Sequence, residues 1–129
     1  MLISRRKRDV CCVTCQAESD GRSGAAELRT GNIIWNTESP NASVAIGPPS
    51  VAGNVAWFAR EDANHAPKEY EKTGGGLIPV DKDTGCIIRD YGLEWIMHGV
   101  ISVADNYVLF GTGYHKPYKR NGAIHVYMA

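Results

Sequence analysis

The feature that most constrains this chain is that it repeats itself. Thr30-Gly31-Asn32-Ile33-Ile34-Trp35 recurs as Thr84-Gly85-Cys86-Ile87-Ile88-Arg89, 54 positions later. Gly47-Pro48-Pro49-Ser50-Val51-Ala52-Gly53-Asn54-Val55-Ala56-Trp57-Phe58 recurs without a gap, 52 positions on, as Gly99-Val100-Ile101-Ser102-Val103-Ala104-Asp105-Asn106-Tyr107-Val108-Leu109-Phe110. Gly122-Ala123-Ile124-His125-Val126-Tyr127 repeats the opening of the segment that starts at Gly76. That segment, 76–89, reads as strand, tight turn, strand. Leu77, Ile78 and Val80 are apolar, Asp81-Lys82-Asp83-Thr84-Gly85 supplies turn chemistry, and Cys86-Ile87-Ile88 resumes the apolar run. An Asp side chain accepts from backbone N–H groups two residues on, and a glycine takes the positive φ that closes a hairpin.

A repeat of roughly 40–55 residues built from short strands is the sequence signature of propeller blades. Residues 44–52 and 55–60 read as two strands joined at Gly53-Asn54, a two-residue hairpin turn. Pro48 and Pro49 remove two ladder donors, so that portion must face an edge, a bulge or a channel. Residues 61–75 form a polar loop, and 77–81 with 86–90 complete a four-stranded blade over 44–90. A three-stranded blade over 95–128 follows, with a turn at Asp105-Asn106. Residues 25–36 read as the remnant of a preceding blade, with 25–29 a damaged third strand. Residues 1–24 carry the basic block Arg5-Arg6-Lys7-Arg8 and sustain neither apolar period, so they read as a disordered arm ahead of a partial propeller over 25–129.

Composition excludes some classes of partner. Lysine plus arginine and aspartate plus glutamate number 14 each, so no global field argues for nucleic acid or an anionic membrane. No run approaches the roughly 18 apolar residues that span a bilayer. The basic N-terminal residues are not followed by an apolar stretch and do not read as a secretory signal. Asn41-Ala42-Ser43 is a glycosylation sequon, relevant only to a secreted chain. Cys12-Val13-Thr14-Cys15 has the spacing of redox and metal motifs, but Gln16 stands where c-type haem attachment needs His. Zinc needs four ligands and finds no second pair; incidental thiols are the remaining reading of Cys11, Cys12, Cys15 and Cys86.

The repeat unit resembles that of pyrroloquinoline-quinone-type β-propellers, within the quinoprotein alcohol dehydrogenase-like superfamily. The nearest likeness is to the C-terminal blades of polyvinyl-alcohol-dehydrogenase-like proteins. The residues that carry it are Val80, Asp81, Thr84 and Gly85, with Thr30, Gly31 and Trp35 one repeat earlier. The resemblance implies an all-β fold of about two four-stranded antiparallel blades, a partial ring. It implies that Trp35 packs over a neighbouring blade's turn and that Asp81, Thr84 and Gly85 shape such a turn. The chain departs at Arg89, where a second Trp belongs, and at Leu28-Arg29, where a Val-Asp pair belongs; both weaken blade docking.

In function, the resemblance implies oxidation of alcohols by pyrroloquinoline quinone with calcium, in a family typically secreted or periplasmic. No catalytic residue and no metal ligand set is assigned here, because the carboxylates Glu61, Asp62, Glu69, Glu71, Asp81 and Asp83 form no oxygen-rich constellation of the six to eight ligands calcium takes. In this topology the first strand of each blade lines the channel, which makes Trp95 and His98 the cofactor-facing candidates. The plainer reading of the pair is a core indole and a hydrogen-bonded imidazole. His65 and His115 fall in loops, and His125 on the polar face of a strand. Two blades cannot close a ring, so the chain reads as a fragment, inactive alone, that self-associates or joins missing blades. The alternative is a non-catalytic binding or scaffold module, because fold does not fix function.

Overall fold

The structure, a computed structural model, describes residues 10–16, 21–40, 43–45, 47–61, 75–93, 97, 99–113 and 122–128. These residues form eleven strands: β1 (Val10–Gln16), β2 (Gly21–Glu27), β3 (Ile33–Glu38), β4 (Val44–Ala45), β5 (Ser50–Ala52), β6 (Val55–Glu61), β7 (Gly75–Asp81), β8 (Tyr91–Leu93), β9 (Ser102–Ala104), β10 (Tyr107–Thr112) and β11 (Ala123–Met128). They assemble into three antiparallel sheets. The first runs β1-β2-β3, the middle one β4-β6-β7-β8 with β5 also on β6, and the third β11-β10-β9. The protein is therefore all-β, and the sheets do not close on one another.

The middle sheet shows how the sequence sets the order of layers. Alternate residues of a strand face opposite sides. Trp57, Ala59 and Leu77 on one side join Met97, Ile101, Val108 and Phe110 in a cluster shared with the third sheet. Ala56, Phe58, Ile78 and Val80 on the other side join Ala25 and Trp35 of the first sheet. Both faces are covered, which is why β6 and β7 read as continuous apolar runs rather than alternating ones. Burying a side chain such as Phe58 or Leu77 stabilises by about 1.5–3 kcal/mol. The third sheet has one covered face, and β10 alternates strictly between exposed and buried.

The repeat is also a repeat of hydrogen-bond register. Ala26 pairs with Ile33, after which one extra residue, Ile34, is accommodated so that Ala25 pairs with Trp35. Fifty-four positions on, Val80 bridges Ile87, and the register has again slipped by one residue where Leu77 pairs with Tyr91. The Glu27 N–H donates to the Asn32 carbonyl, as that of Asp81 does to Cys86, both at 2.9 Å. Gly31 and Gly85 both sit at φ 74°. The β5–β6 hairpin and the β9–β10 hairpin also coincide, with positive φ at Gly53 and at Asp105.

Several sequence expectations change. Residues 10–16 and 21–24 are not a disordered arm: β1 pairs with β2 over seven residues, from Val10 opposite Glu27 to Gln16 opposite Gly21. That matches β6, where Val55 stands opposite Asp81, so β1 holds in the first sheet the place that β6 holds in the middle one, and the segment expected as a remnant is part of a sheet of three strands. Residues 1–9 lie outside the described residues. Ala26-Glu27, not Leu28-Arg29, stands in register with Val80-Asp81, while Leu28 and Arg29 belong to the turn. The outer strand pairs regularly only at Tyr91–Leu93, because the slip after Ile87 interrupts the ladder over 88–90.

The match of 122–127 to 76–81 is out by one residue. Tyr107 pairs with Met128 as Val55 pairs with Asp81, so Tyr127, not Val126, holds the place of Val80. A one-residue slip exchanges the faces of a strand. It leaves Val126 56% exposed and brings His125 inward, stacked on Phe110 at 4.9 Å and hydrogen-bonded to the Thr112 hydroxyl at 2.8 Å. His125 is therefore not on the polar face. Pro48 and Pro49 interrupt the outer strand of the middle sheet and split it into β4 and β5.

Two charged side chains of β6, Arg60 and Glu61, are buried in the middle sheet. Arg60 on β6 is 3% exposed and forms a two-pronged pair with Asp90, Nε to Oδ1 and Nη2 to Oδ2, each at 3.0 Å. Its guanidinium lies over Gly76, where a Cβ would come within 2.5 Å of Nε. Gly76→Ala should push the guanidinium off Asp90 and cost about 3 kcal/mol, the scale of breaking a buried pair. Asp90→Ala should cost a similar amount, and the double variant little more than either alone. Urea unfolding of the three variants checks this; fully additive losses would mean that the glycine does not act through the ion pair.

Candidate functional site

The most specific construction in the molecule is the junction between the first and middle sheets. It begins as a local turn. Asp81 ends β7, and its Oδ1 accepts the N–H groups of Asp83 and Thr84, both at 2.9 Å. The Gly85 N–H returns to the Asp81 carbonyl at 2.8 Å, and the Thr84 hydroxyl accepts the Cys86 N–H at 3.3 Å. Asn54, from the β5–β6 hairpin, donates through Nδ2 to Asp81 Oδ2 at 3.2 Å, and its carbonyl accepts the Lys82 N–H at 2.9 Å. Asp81 therefore ties two turns at one end of the sheet. The Thr84 N–H foremost, then that of Asp83, holds its carboxyl below the ordinary carboxylate range, with the Thr84 hydroxyl and the Lys82 charge adding to the effect.

The turn is the seat for an indole. Trp35 on β3 is 8% exposed and donates from Nε1 to the Lys82 carbonyl at 2.7 Å. Its ring covers Gly85 so closely that a Cβ there would lie 2.5 Å from both Cδ2 and Cε3. Thr37, two residues on and on the same face of β3, donates its hydroxyl to the Gly85 carbonyl at 2.7 Å. Phe58 meets the indole edge-on, with centroids 6.2 Å apart. Glycine is thus required twice at this position, for its φ of 74° and for its missing side chain.

The structure brings Trp35, Asp81, Thr84 and Gly85 into one cluster. Trp95 and His98 lie outside the described residues, as do Asp62, His65, Glu69, Glu71 and His115. Among the described residues no three His, Cys, Asp or Glu side chains converge on a common point. Asp81 is engaged by backbone amides and Asp83 pairs with Lys82 at 2.7 Å, so both carboxylates make contacts within the turn. Cys86 is an exposed free thiol.

Thr37 and the Lys82 carbonyl belong to the site and do not stand out in the sequence. Thr37 was findable from strand period, two positions after Trp35. The Lys82 carbonyl carries no sequence signal. No family model matches the chain, and no curated protein is detectably similar to it.

The two turns of the repeat provide an internal control. A Cβ at Gly31 would meet nothing within 4 Å, although its φ equals that of Gly85. Gly31→Ala should cost only the backbone strain, about 1–2 kcal/mol. Gly85→Ala adds displacement of the indole and should cost about 2 kcal/mol more, within the range of disrupted core packing. Equal losses in denaturant titrations would mean that the indole does not depend on this seat.

Asp81 also predicts a pH dependence. Its lowered folded-state pKa means that its contribution to stability is present above the ordinary carboxylate range and is lost as pH falls through the folded value. Asp81→Asn should therefore flatten the loss of stability on acidification relative to the parent protein, and parallel stability–pH profiles for the two would contradict this.

Proposed function

We propose that the chain is a run of successive blades from a quinoprotein-like β-propeller, and that its own role there is architectural. The observation that carries this reading is the tryptophan lock: Trp35 of one sheet seated on the Gly85 turn of the next, hydrogen-bonded to Lys82 and seconded by Thr37. Support also comes from the register, which is reproduced from sheet to sheet down to the extra residue at Ile34 and the slip after Ile87. Sheets that repeat one register and pack face to face in succession suit a radial array. Three of them fall short of the 4–8 blades of a closed ring.

Oxidation of an alcohol by pyrroloquinoline quinone is the activity we assign to a completed ring of this kind. For that ring Trp95 and His98 are this chain's channel-facing candidates. The second reading is a binding or scaffold module with no redox chemistry. It is favoured by the engagement of Asp81 and Asp83 in the turn, which leaves them to shape the backbone.

The two readings part on one experiment. The purified chain is analysed for solution mass and near-UV circular dichroism, with and without added quinone and calcium. A folded species that acquires quinone absorbance in simple stoichiometry supports the oxidoreductase reading. A folded species that assembles to the mass of a complete ring and is still indifferent to both supports the scaffold. A chain without fixed tertiary structure, or one in which Trp35→Ala leaves the near-UV spectrum unchanged, would overturn the lock on which both rest.

A further inference from the structure

The first and third sheets each turn one face away from the middle sheet, and the shared register says what each of those faces corresponds to. Alternate residues of a strand share a side, so every sheet has a forward face, toward its successor, and a rear face, toward its predecessor. In the middle sheet Trp57, Ala59 and Leu77 look forward to the third sheet, while Ala56, Phe58, Ile78 and Val80 look back to the first. By register, the forward face of the third sheet holds Leu109 in the place of Trp57, Gly111 in that of Ala59, Ile124 in that of Leu77 and Val126 in that of Pro79. The rear face of the first sheet holds Gly24 in the place of Ile78 and Ala26 in that of Val80, with Ile33 opposite Ala26.

The two faces differ in shape. On the third sheet Tyr107 stands opposite Met128, Leu109 opposite Val126 and Gly111 opposite Ile124, so the large apolar side chains adjoin one another. Ile124 is 84% exposed and Met128 79%, and no strand position on this face is charged. A contiguous apolar face of this kind marks an interaction surface. The rear of the first sheet is built small: Gly24 and Ala26 border an apolar hollow of about 50 Å³, with Ile33 and Asn36 beside them. At one end of it Arg22 pairs with Glu38. Arg22 stands in the place of Gly76, the row where Arg60 meets Asp90. The middle sheet buries its rear face with that pair in position, so a neutralised pair in the same row is compatible with a covered face.

We propose, resting on the reading of the sheets as successive blades, that these two faces meet in a second copy of this chain. The forward face of the third sheet of one copy packs on the rear face of the first sheet of the other, and the reciprocal contact closes a ring of six sheets. The large side chains of one face match the small ones of the other. The contact joins a forward face to a rear face, an arrangement that the chain already makes twice within itself. The number of sheets selects two copies: six lies inside the 4–8 blades of closed rings, whereas the three of one copy fall short and three copies exceed it. A head-to-tail contact that closes gives a finite ring, and one that does not gives an open filament.

The test follows the intact chain by analytical ultracentrifugation over a wide concentration range. A species of twice the 14.1 kDa chain mass is expected, with none larger. In a mixed isotope-labelled sample, nuclear Overhauser contacts between copies should run from the Ile124 and Val126 methyl groups to those of Ala26 and Ile33, which needs no variant. Val126→Glu and Ala26→Lys should each weaken dimerisation by about ten-fold or more, because each sets a charge into an apolar contact. An equimolar mixture of the two folded variants should recover a dimer, since one of its junctions then joins two native faces and the other opposes Glu to Lys. A folded monomer at every concentration would overturn the pairing and assign both faces to another polypeptide, with the Trp35 lock and the blade reading intact. Contacts between two third sheets, masses that climb past the dimer, or a mixture no better than its parts would also overturn it. A near-UV spectrum indifferent to Trp35→Ala strikes the blade reading, and the pairing with it.

Discussion

An indole can lie flat across a turn only where the residue beneath has no side chain. That steric condition at Gly85 governs how the first two sheets meet. The Trp35 ring, the Lys82 carbonyl and the Thr37 hydroxyl fasten β3 to the turn after β7 through one hydrophobic contact and two hydrogen bonds. The turn itself is held from within by Asp81 and from the side by Asn54. The seat is therefore rigid before the indole arrives, and little ordering of the turn remains to offset the gain from docking.

The middle sheet gives this junction its setting. Its two faces carry different residues of the same strands, so each substitution in β6 or β7 acts on one neighbour and spares the other. The Arg60 charge inside it follows the same economy of space. Arg60 crosses to Asp90 over a glycine, which keeps the ion pair within the sheet instead of lifting the strands apart. The third sheet meets the other face through Val108, Phe110 and Tyr127, with Phe110 edge-on to Tyr127 at 5.1 Å.

Much of this was legible in the sequence because the informative residues act locally. Thr-Gly at 30–31 and 84–85 marks two turns whose hydrogen bonds coincide, and Gly53-Asn54 and Asp105-Asn106 mark two hairpins. What the sequence hid was register. Small and apolar residues at 122–127 align with 76–81 almost equally well at neighbouring offsets, yet the choice decides whether Val126 or Tyr127 faces the core. The strand at Val10–Gln16 was hidden for a different reason. Its run of cysteines, valines and a threonine lacks alternation and aromatic residues and follows a basic block. The quinone and calcium expectations rest on likeness alone, and their candidate residues Trp95 and His98 are not among those described.

The extra residue at Ile34 has a consequence for how such a chain tolerates change in length. Because Ile34 is accommodated between the paired positions Ile33 and Trp35, the strand changes phase there, and the indole points toward the neighbouring sheet. Inserting one residue between Gly31 and Trp35, with a single residue still bulged, would carry the indole past Ala25 to stand opposite Gly24 and turn the ring to the opposite side, whatever the identity of the residue added. The connections between paired strands obey no such rule: residues 17–20 join β1 to β2, whereas 62–74 join the corresponding β6 to β7. Inside this molecule, then, spacing is strict over five residues and loose over a dozen, and the strict stretch is the one that aims the tryptophan.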